Sequence, residues 1–297
     1  MSIHGGAPHE KEMHAQTKPD FTVPPLACDA HFHVFGPPDK YPYVPELRYT
    51  PPIAPLDDYL DLLQQLGIQR MVFVQPSTYG KDNSCMFEAM TIMGKKCRGI
   101  VDIDENIADK ELENYHDLGV RGIRINVSPV KGYEAGFADK ITGRIKRLAE
   151  RAKGIGWHLQ FLSPGWLVQE LMPVFRSLPV PFVIDHMGLF PAKEGVENPG
   201  FQELLRLLEG GQCWVKLTAV YRVSTQMPEF KDAIPFAQAL IAKAPDRILW
   251  GSDYPHVSFA DKVDSLDLFN LLGIWAPDER QRYKILVDNP GELFGFS

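Results

Sequence analysis

LACDAHFHV, residues 26–34, is a short apolar run that carries Asp29, His31 and His33 near the start of a 297-residue chain. Read as a β-strand, it turns side chains two apart to one face with Cα atoms roughly 6.5 Å apart, so its two imidazoles can share one ligand. Seven further short apolar runs follow, at 70–75, 99–103, 122–127, 158–162, 182–186, 214–219 and 248–253. Between them lie segments with apolar residues at helical spacing, 56–66, 84–95, 109–118, 140–153, 166–178, 201–208 and 230–243, and 278–287 follows the last strand. Gly67, Gly119, Gly154 and Gly210 stand after helices, while Pro164, Pro199 and Pro277 stand near helix starts. Eight strand and helix units in alternation predict an α/β chain forming a single (β/α)8 TIM barrel around a parallel sheet. A doubly wound open sheet is the alternative, but no GxGxxG or GxxxxGK turn follows any strand.

The domain reading is a flexible arm over 1–25, polar and without periodicity, followed by the barrel over 26–297. His4, His9 and His14 recur at intervals of five in that arm, and an unstructured arm explains them better than a metal-binding tail. A net charge of −7 offers no basic patch for nucleic acid, so the expected partner is a small molecule. Cys28, Cys85, Cys97 and Cys213 are scattered without CxxC spacing, which fits reduced core thiols and a cytoplasmic setting. No apolar run is long enough for a membrane span, and the polar N-terminus does not read as a signal peptide.

In such a barrel, reactive residues sit at the C-terminal ends of strands and in the loops that follow. The polar residues here fall in those places: His31 and His33, Gln75 and Ser77, Asp102 and Asp104, Arg124 and Asn126, Gln160, His186, then Lys216, Thr218, Tyr221 and Arg222, and finally Asp253 and His256. Asp253 ends an apolar strand in WGSDYPH (250–256), where a carboxylate facing the barrel mouth can take a proton from water. A turn-capping role would explain Asp253 equally well were it alone, but three histidines stand at other strand ends. Ser77, Asn126, Gln160, Tyr221 and His256 are candidate substrate contacts on the same placement.

The opening DAHFHVFGP (29–37), the run RGIRIN (121–126), IDHMG (184–188) and WGSDYPH (250–256) together resemble the amidohydrolase superfamily. The resemblance is to its branch of 2-pyrone-4,6-dicarboxylate lactonases, 4-sulfomuconolactone hydrolases and related sugar lactonases and lactone isomerases. It spans 26–297 and implies an amidohydrolase-type TIM barrel and a lactone hydrolase of aromatic-compound degradation. It implies that Asp253 deprotonates water while His31, His33 and His186 polarise the lactone carbonyl. Tyr49, Arg124 and Arg222 match positions that contact the acidic groups of the substrate, a task suited to guanidinium forks. For Arg124 a barrel salt bridge with Asp102 or Asp104 is the alternative.

Two departures bear on the substrate. In the pyrone dicarboxylate enzymes IDHMG is followed by Arg, where this chain has Leu189, and a further Arg expected after the fourth strand is replaced by Pro129 and Val130, with Lys131 the nearest cation. A sulfo- or carboxymethyl-substituted muconolactone therefore fits better than 2-pyrone-4,6-dicarboxylate, with the pyrone, a sugar-acid lactonase or isomerase, and a metal-dependent decarboxylase as the alternatives. Many members of the superfamily bind metal through the first-strand histidines. Here Arg124 stands where a bridging ligand would be needed for two ions, and an Arg repels a dication. No cofactor is expected to be required; a mononuclear zinc, if bound, would take His31, His33, His186 and Asp253. A homo-oligomer is compatible with the chain.

Overall fold

The computed structural model describes residues 17–128 and 132–296. Eight parallel strands pair in chain order. They are β1 (Cys28–Phe32), β2 (Arg70–Val74), β3 (Cys97–Val101), β4 (Val120–Asn126), β5 (His158–Leu162), β6 (Phe182–Ile184), β7 (Cys213–Leu217) and β8 (Ile248–Trp250). Two hydrogen bonds draw β8 to β1 and close the ring: Asp253 N donates to His31 O at 2.8 Å, and His33 N donates to Tyr254 O at 2.8 Å. The TIM barrel expected from the alternation is the observed fold.

The first seven crossings carry α1 (Leu56–Leu66), α2 (Ser84–Met93), α3 (Asp109–Leu118), α4 (Phe137–Ile155), α5 (Gly165–Glu170) with α6 (Met172–Phe175), α7 (Pro199–Glu209) and α8 (Ile234–Lys243). The segment expected as one helix over 166–178 divides at Leu171, with Pro173 in the first turn of α6. After β8 comes a helix the periodicity missed, α9 (Ser265–Trp275). Six of its eleven residues are buried and apolar residues fall on nearly every side, so no amphipathic stripe shows in the sequence. The helix expected at 278–287 is α10 (Glu279–Tyr283) running into a π-helical turn, and α11 (Asn289–Phe294) ends the fold.

Most of the core lies between the sheet and its helices. A smaller apolar cluster fills the base of the barrel interior: Cys28, Ala30, Val72, Val74, Ile100, Val183, Trp214 and Leu249, plugged by Phe294. Toward the C-terminal ends of the strands the interior turns polar, and the functional site begins there. Outside the barrel, the chain before β1 rests on α9: Asp20 N donates to Asn270 at 2.9 Å and Phe21 packs on Phe269. All four cysteines are buried free thiols, and no described helix is long and apolar enough to cross a membrane.

Candidate active site

Simple alternation along β1 would turn His31 and His33 away from Cys28 and Ala30, and so out of the barrel. A register shift prevents this: β1 advances from Asp29 to Phe32 while β2 advances only from Met71 to Phe73. The extra residue resets the phase of the strand. Phe32 swings outward and stacks on Tyr59 of α1 with ring centroids 3.5 Å apart, while His31 and His33 face inward. Asp29 anchors the bulge by accepting from His31 N (3.0 Å), Tyr59 Oη (3.0 Å), and Ser252 N and Oγ (3.0 and 2.5 Å). Burial raises the Asp29 carboxyl to about 6 in spite of those donors. Gly251 permits the approach of β8, since a Cβ there would lie 2.6 Å from His31 Cβ.

The loop after β8 then places Asp253 at the floor of the mouth, its backbone in the left-handed region at φ 58°. His186 (φ 53°) and His256 (φ 56°) share that conformation, which costs a side-chain-bearing residue roughly 1 kcal/mol or more and collects at functional sites. Tyr221 Oη donates to Asp253 Oδ2 at 2.7 Å, and Arg222 Nε lies 3.8 Å away. His31 Nε2 and His33 Nε2 stand 3.5 and 3.6 Å from Asp253 Oδ1. Burial alone would raise the Asp253 carboxyl, but His186, His31 and Arg222 around it hold it well below the usual range. Burial lowers His31 strongly and takes His186 to about 4, so both are neutral at pH 7 and Asp253 is the ionised group.

Tautomers follow from the partners. His33 Nδ1 lies 2.7 Å from the Val74 carbonyl, which only accepts, so Nδ1 carries the proton and Nε2 turns a lone pair toward Asp253. His186 Nδ1 contacts Thr218 Oγ1 at 2.6 Å. His31 meets a layer of charge beneath the floor, formed by Lys216, Gln160 and Asp185, none of them more than 1% exposed. Lys216 Nζ donates to Ala30 O and Gln160 Oε1 at 2.7 Å each and lies 3.3 Å from His31 Nδ1. Gln160 Nε2 donates to Asp185 Oδ2 at 3.2 Å. Burial pushes the Lys216 ammonium down to about 8, against the pull of Asp185. Burial would raise Asp185, but His31 and Lys216 hold it well below the usual range.

Above the floor opens a cleft of about 810 Å³, counting solvent at its mouth. Of the residues expected from sequence, His33, Tyr49, Ser77, Arg124, Asn126, His186, Arg222 and Asp253 line it. His31 sits beneath the floor with no exposed surface, and Gln160 lies in the charged layer. Tyr221 and His256 stand behind Asp253, with His256 Nε2 2.7 Å from Ser265 Oγ and its Nδ1 3.4 Å from Tyr221 Oη. Arg124 does not pair with Asp102 or Asp104, which are taken by Arg144 and Lys81. It donates to Gln75 O at 2.5 Å, lies 3.9 Å from Asp185, and keeps Nε without a partner.

Sequence reading missed Arg48, which lines the cleft and donates to Asn126 Oδ1 at 3.0 Å. Its neighbour Tyr49 was the only signal, because the segment between β1 and α1 has no periodicity. Leu189 lines a second depression beside the cleft. Pro129, Val130 and Lys131 lie outside the described residues.

Two groups offer ligand atoms within 4.8 Å of one another and could hold a metal ion: His31, His33 and Asp253, and His31, Asp185 and His186. In the first, the 3.5 and 3.6 Å separations are close to the edge of about 3.4 Å expected of a tetrahedron around zinc with bonds near 2.1 Å. The donor chemistry does not fit equally well. A ligating imidazole donates its second N–H to an acceptor, and beside His31 Nδ1 the Asp185 carboxylate that could accept it is matched at the same 3.3 Å by the Lys216 ammonium, which cannot.

Comparisons with known proteins agree with this architecture. The sequence matches the Amidohydrolase family over residues 28–296. It is 36% identical over 278 residues to a 4-sulfomuconolactone hydrolase of Hydrogenophaga intermedia, covering 93% of this chain and 90% of the relative. It is 35% identical over 288 residues to a 2-pyrone-4,6-dicarboxylate hydrolase of Comamonas testosteroni, covering 94% and 93%. A solved apo structure from Agrobacterium tumefaciens superposes with a TM-score of 0.84 at 29% identity, covering 94% and 99% of the two chains. The chain belongs to the amidohydrolase family.

Proposed function

We propose that this amidohydrolase hydrolyses an anionic, unsaturated lactone of the sulfomuconolactone type, in the breakdown of aromatic compounds. One observation carries the reading: an ionised, buried carboxylate, Asp253, lies at the floor of a cleft whose walls hold the guanidinium groups of Arg48, Arg124 and Arg222. Three cations facing one anion suit a substrate that brings its own negative groups, and a sulfonate or carboxylate accepts such forks bidentately. Names of the relatives at 35–36% identity point to the same class. Leu189, in place of a further guanidinium, favours the sulfonated lactone over the planar pyrone dicarboxylate.

Asp253 Oδ1 and the His33 Nε2 lone pair are two acceptors 3.6 Å apart at the cleft, so one water can donate a hydrogen bond toward each. Asp253 takes a proton as the water oxygen attacks the lactone carbonyl carbon. Charge grows on the carbonyl oxygen, where Arg124 and His186 stand to stabilise it. Collapse of the tetrahedral intermediate re-forms the carbonyl and breaks its bond to the ring oxygen, which takes the proton back from Asp253. Tyr221 and His31 hold Asp253 in place from behind, and no step needs a metal. The test is ultraviolet turnover of 4-sulfomuconolactone and 2-pyrone-4,6-dicarboxylate side by side in ¹⁸O-labelled water. Opening with one labelled oxygen in the product is expected; turnover without label would mean isomerisation, and turnover of neither lactone would refute the reading.

A further inference from the structure

A fully buried lysine is costly unless something in the site needs it, and the reaction above makes no use of Lys216. Its ammonium has three protons and no lone pair. Two protons are accepted at 2.7 Å by Ala30 O and Gln160 Oε1. For the third, the nearest acceptor is His31 Nδ1 at 3.3 Å, ahead of Asp185 Oδ1 at 3.8 Å. Asp185 Oδ1 also lies 3.3 Å from His31 Nδ1 and so competes for that nitrogen, yet this oxygen makes no hydrogen bond. Gln160 fixes the arrangement, its carbonyl toward Lys216 and its amide toward Asp185.

We propose that Lys216 is a positioning residue that holds His31 in the Nε2–H tautomer, making it a hydrogen-bond donor to Asp253 and not a metal ligand. A neutral imidazole whose Nδ1 accepts must carry its proton on Nε2. That nitrogen makes no hydrogen bond in the structure, and Asp253 Oδ1 is the carboxylate oxygen facing it, at 3.5 Å. The two histidines of β1 thus play opposite parts: His31 donates to the carboxylate, and His33 presents a lone pair beside it. Both groups of residues close enough to share an ion include His31, and without it each is left with two, short of the three protein ligands a catalytic zinc needs. The charged layer beneath the floor therefore sets which chemistry the His-x-His pair performs.

The inference concerns the same site as the proposed lactone hydrolysis, but its test needs no substrate, so either can fail alone. Nitrogen-15 NMR of the ¹⁵N-histidine-labelled full chain, with His31 assigned by comparison with His31→Gln, reads the tautomer directly. The expected result is a protonated Nε2 and an accepting Nδ1; a protonated Nδ1 with a bare Nε2 would overturn the proposal whether or not a Lys216 variant folds. In parallel, Zn²⁺ alone is titrated into the wild type and Lys216→Met. Losing the ammonium should free Nδ1 to donate to Asp185, invert the tautomer and raise zinc affinity about 10- to 100-fold, the usual weight of a second-layer partner. Equal affinity in the two, or stoichiometric tight zinc in the wild type, would refute it. Lys216→Arg, which keeps a buried cation, should retain the wild-type weakness for zinc.

Discussion

Tyr221→Phe tests the electrostatics of the site at one atom. The hydroxyl donates to Asp253 Oδ2 at 2.7 Å, and Tyr221 and Asp253 are only 3% and 4% exposed. A hydrogen bond to a buried charged group is worth about 1.5–3 kcal/mol. Its loss falls on the ionised form of Asp253 and should raise that carboxyl by roughly 1 to 2 pH units. The acid limb of kcat/KM, which lies below the usual carboxylate range in the wild type, should move up by that amount. The plateau at pH 7–8 should change little, because the base stays ionised there and becomes slightly more basic. Phe fills the same volume, so the remaining cost is the partner lost by His256 Nδ1 at 3.4 Å, about 1 kcal/mol or a few degrees in Tm. Initial rates taken in brief exposures from pH 2 to 8 read the limb of both proteins before acid unfolding intervenes. An unmoved limb in a folded variant would refute the assignment of Asp253 as the titrating base.

Asp253→Asn should keep its Tm within a few degrees and lose at least about a hundredfold in turnover, the scale of general-base catalysis; near-wild-type rates would remove Asp253 from the reaction. Arg48→Ala should raise KM for an anionic lactone by roughly tenfold with kcat nearly unchanged, since Arg48 borders the cleft away from the floor. Gly251→Ala places a methyl group 2.6 Å from His31 Cβ and should cost about 1–3 kcal/mol together with activity, read by urea unfolding and steady-state rates. Acid should weaken the fold: burial lowers His186 and His256 to about 4 and His158 to about 3. Lowered bases contribute stability that is complete above about 6.5 and lost as pH falls through the folded values, about 3–5 kcal/mol each as an upper figure. Asp29, raised to about 6, works in the opposite sense and offsets part of it. Urea midpoints at pH 7 and 4.5 should therefore differ strongly, and His256→Gln should flatten the difference.

Strand and helix alternation was readable because each unit buries one face and shows its period, and the polar strand ends followed from it. Helix α9 escaped because a segment buried on nearly all sides shows no period. Arg48 escaped because it reaches the cleft from an irregular loop, where no local rule says which way a side chain points. Lys216, Gln160 and Tyr221 stood among the strand-end polar residues, yet sequence distance says nothing of depth: Lys216 and Gln160 lie below the floor, and Tyr221 behind it.

By itself, then, the amino-acid sequence determined the barrel and the residue types at its mouth, since both rest on periodicity and composition, which are local. Tertiary structure decided what those residues can do. A single extra residue between Asp29 and Phe32, visible only against the register of β2, turns the His-x-His pair from the helix layer into the barrel. Which nitrogen of each imidazole bears the proton depends on groups far away in the chain, the Val74 carbonyl for His33 and the Lys216 ammonium for His31. Protonation is set by the partner across the barrel, and that partner exists only once the sheet has closed.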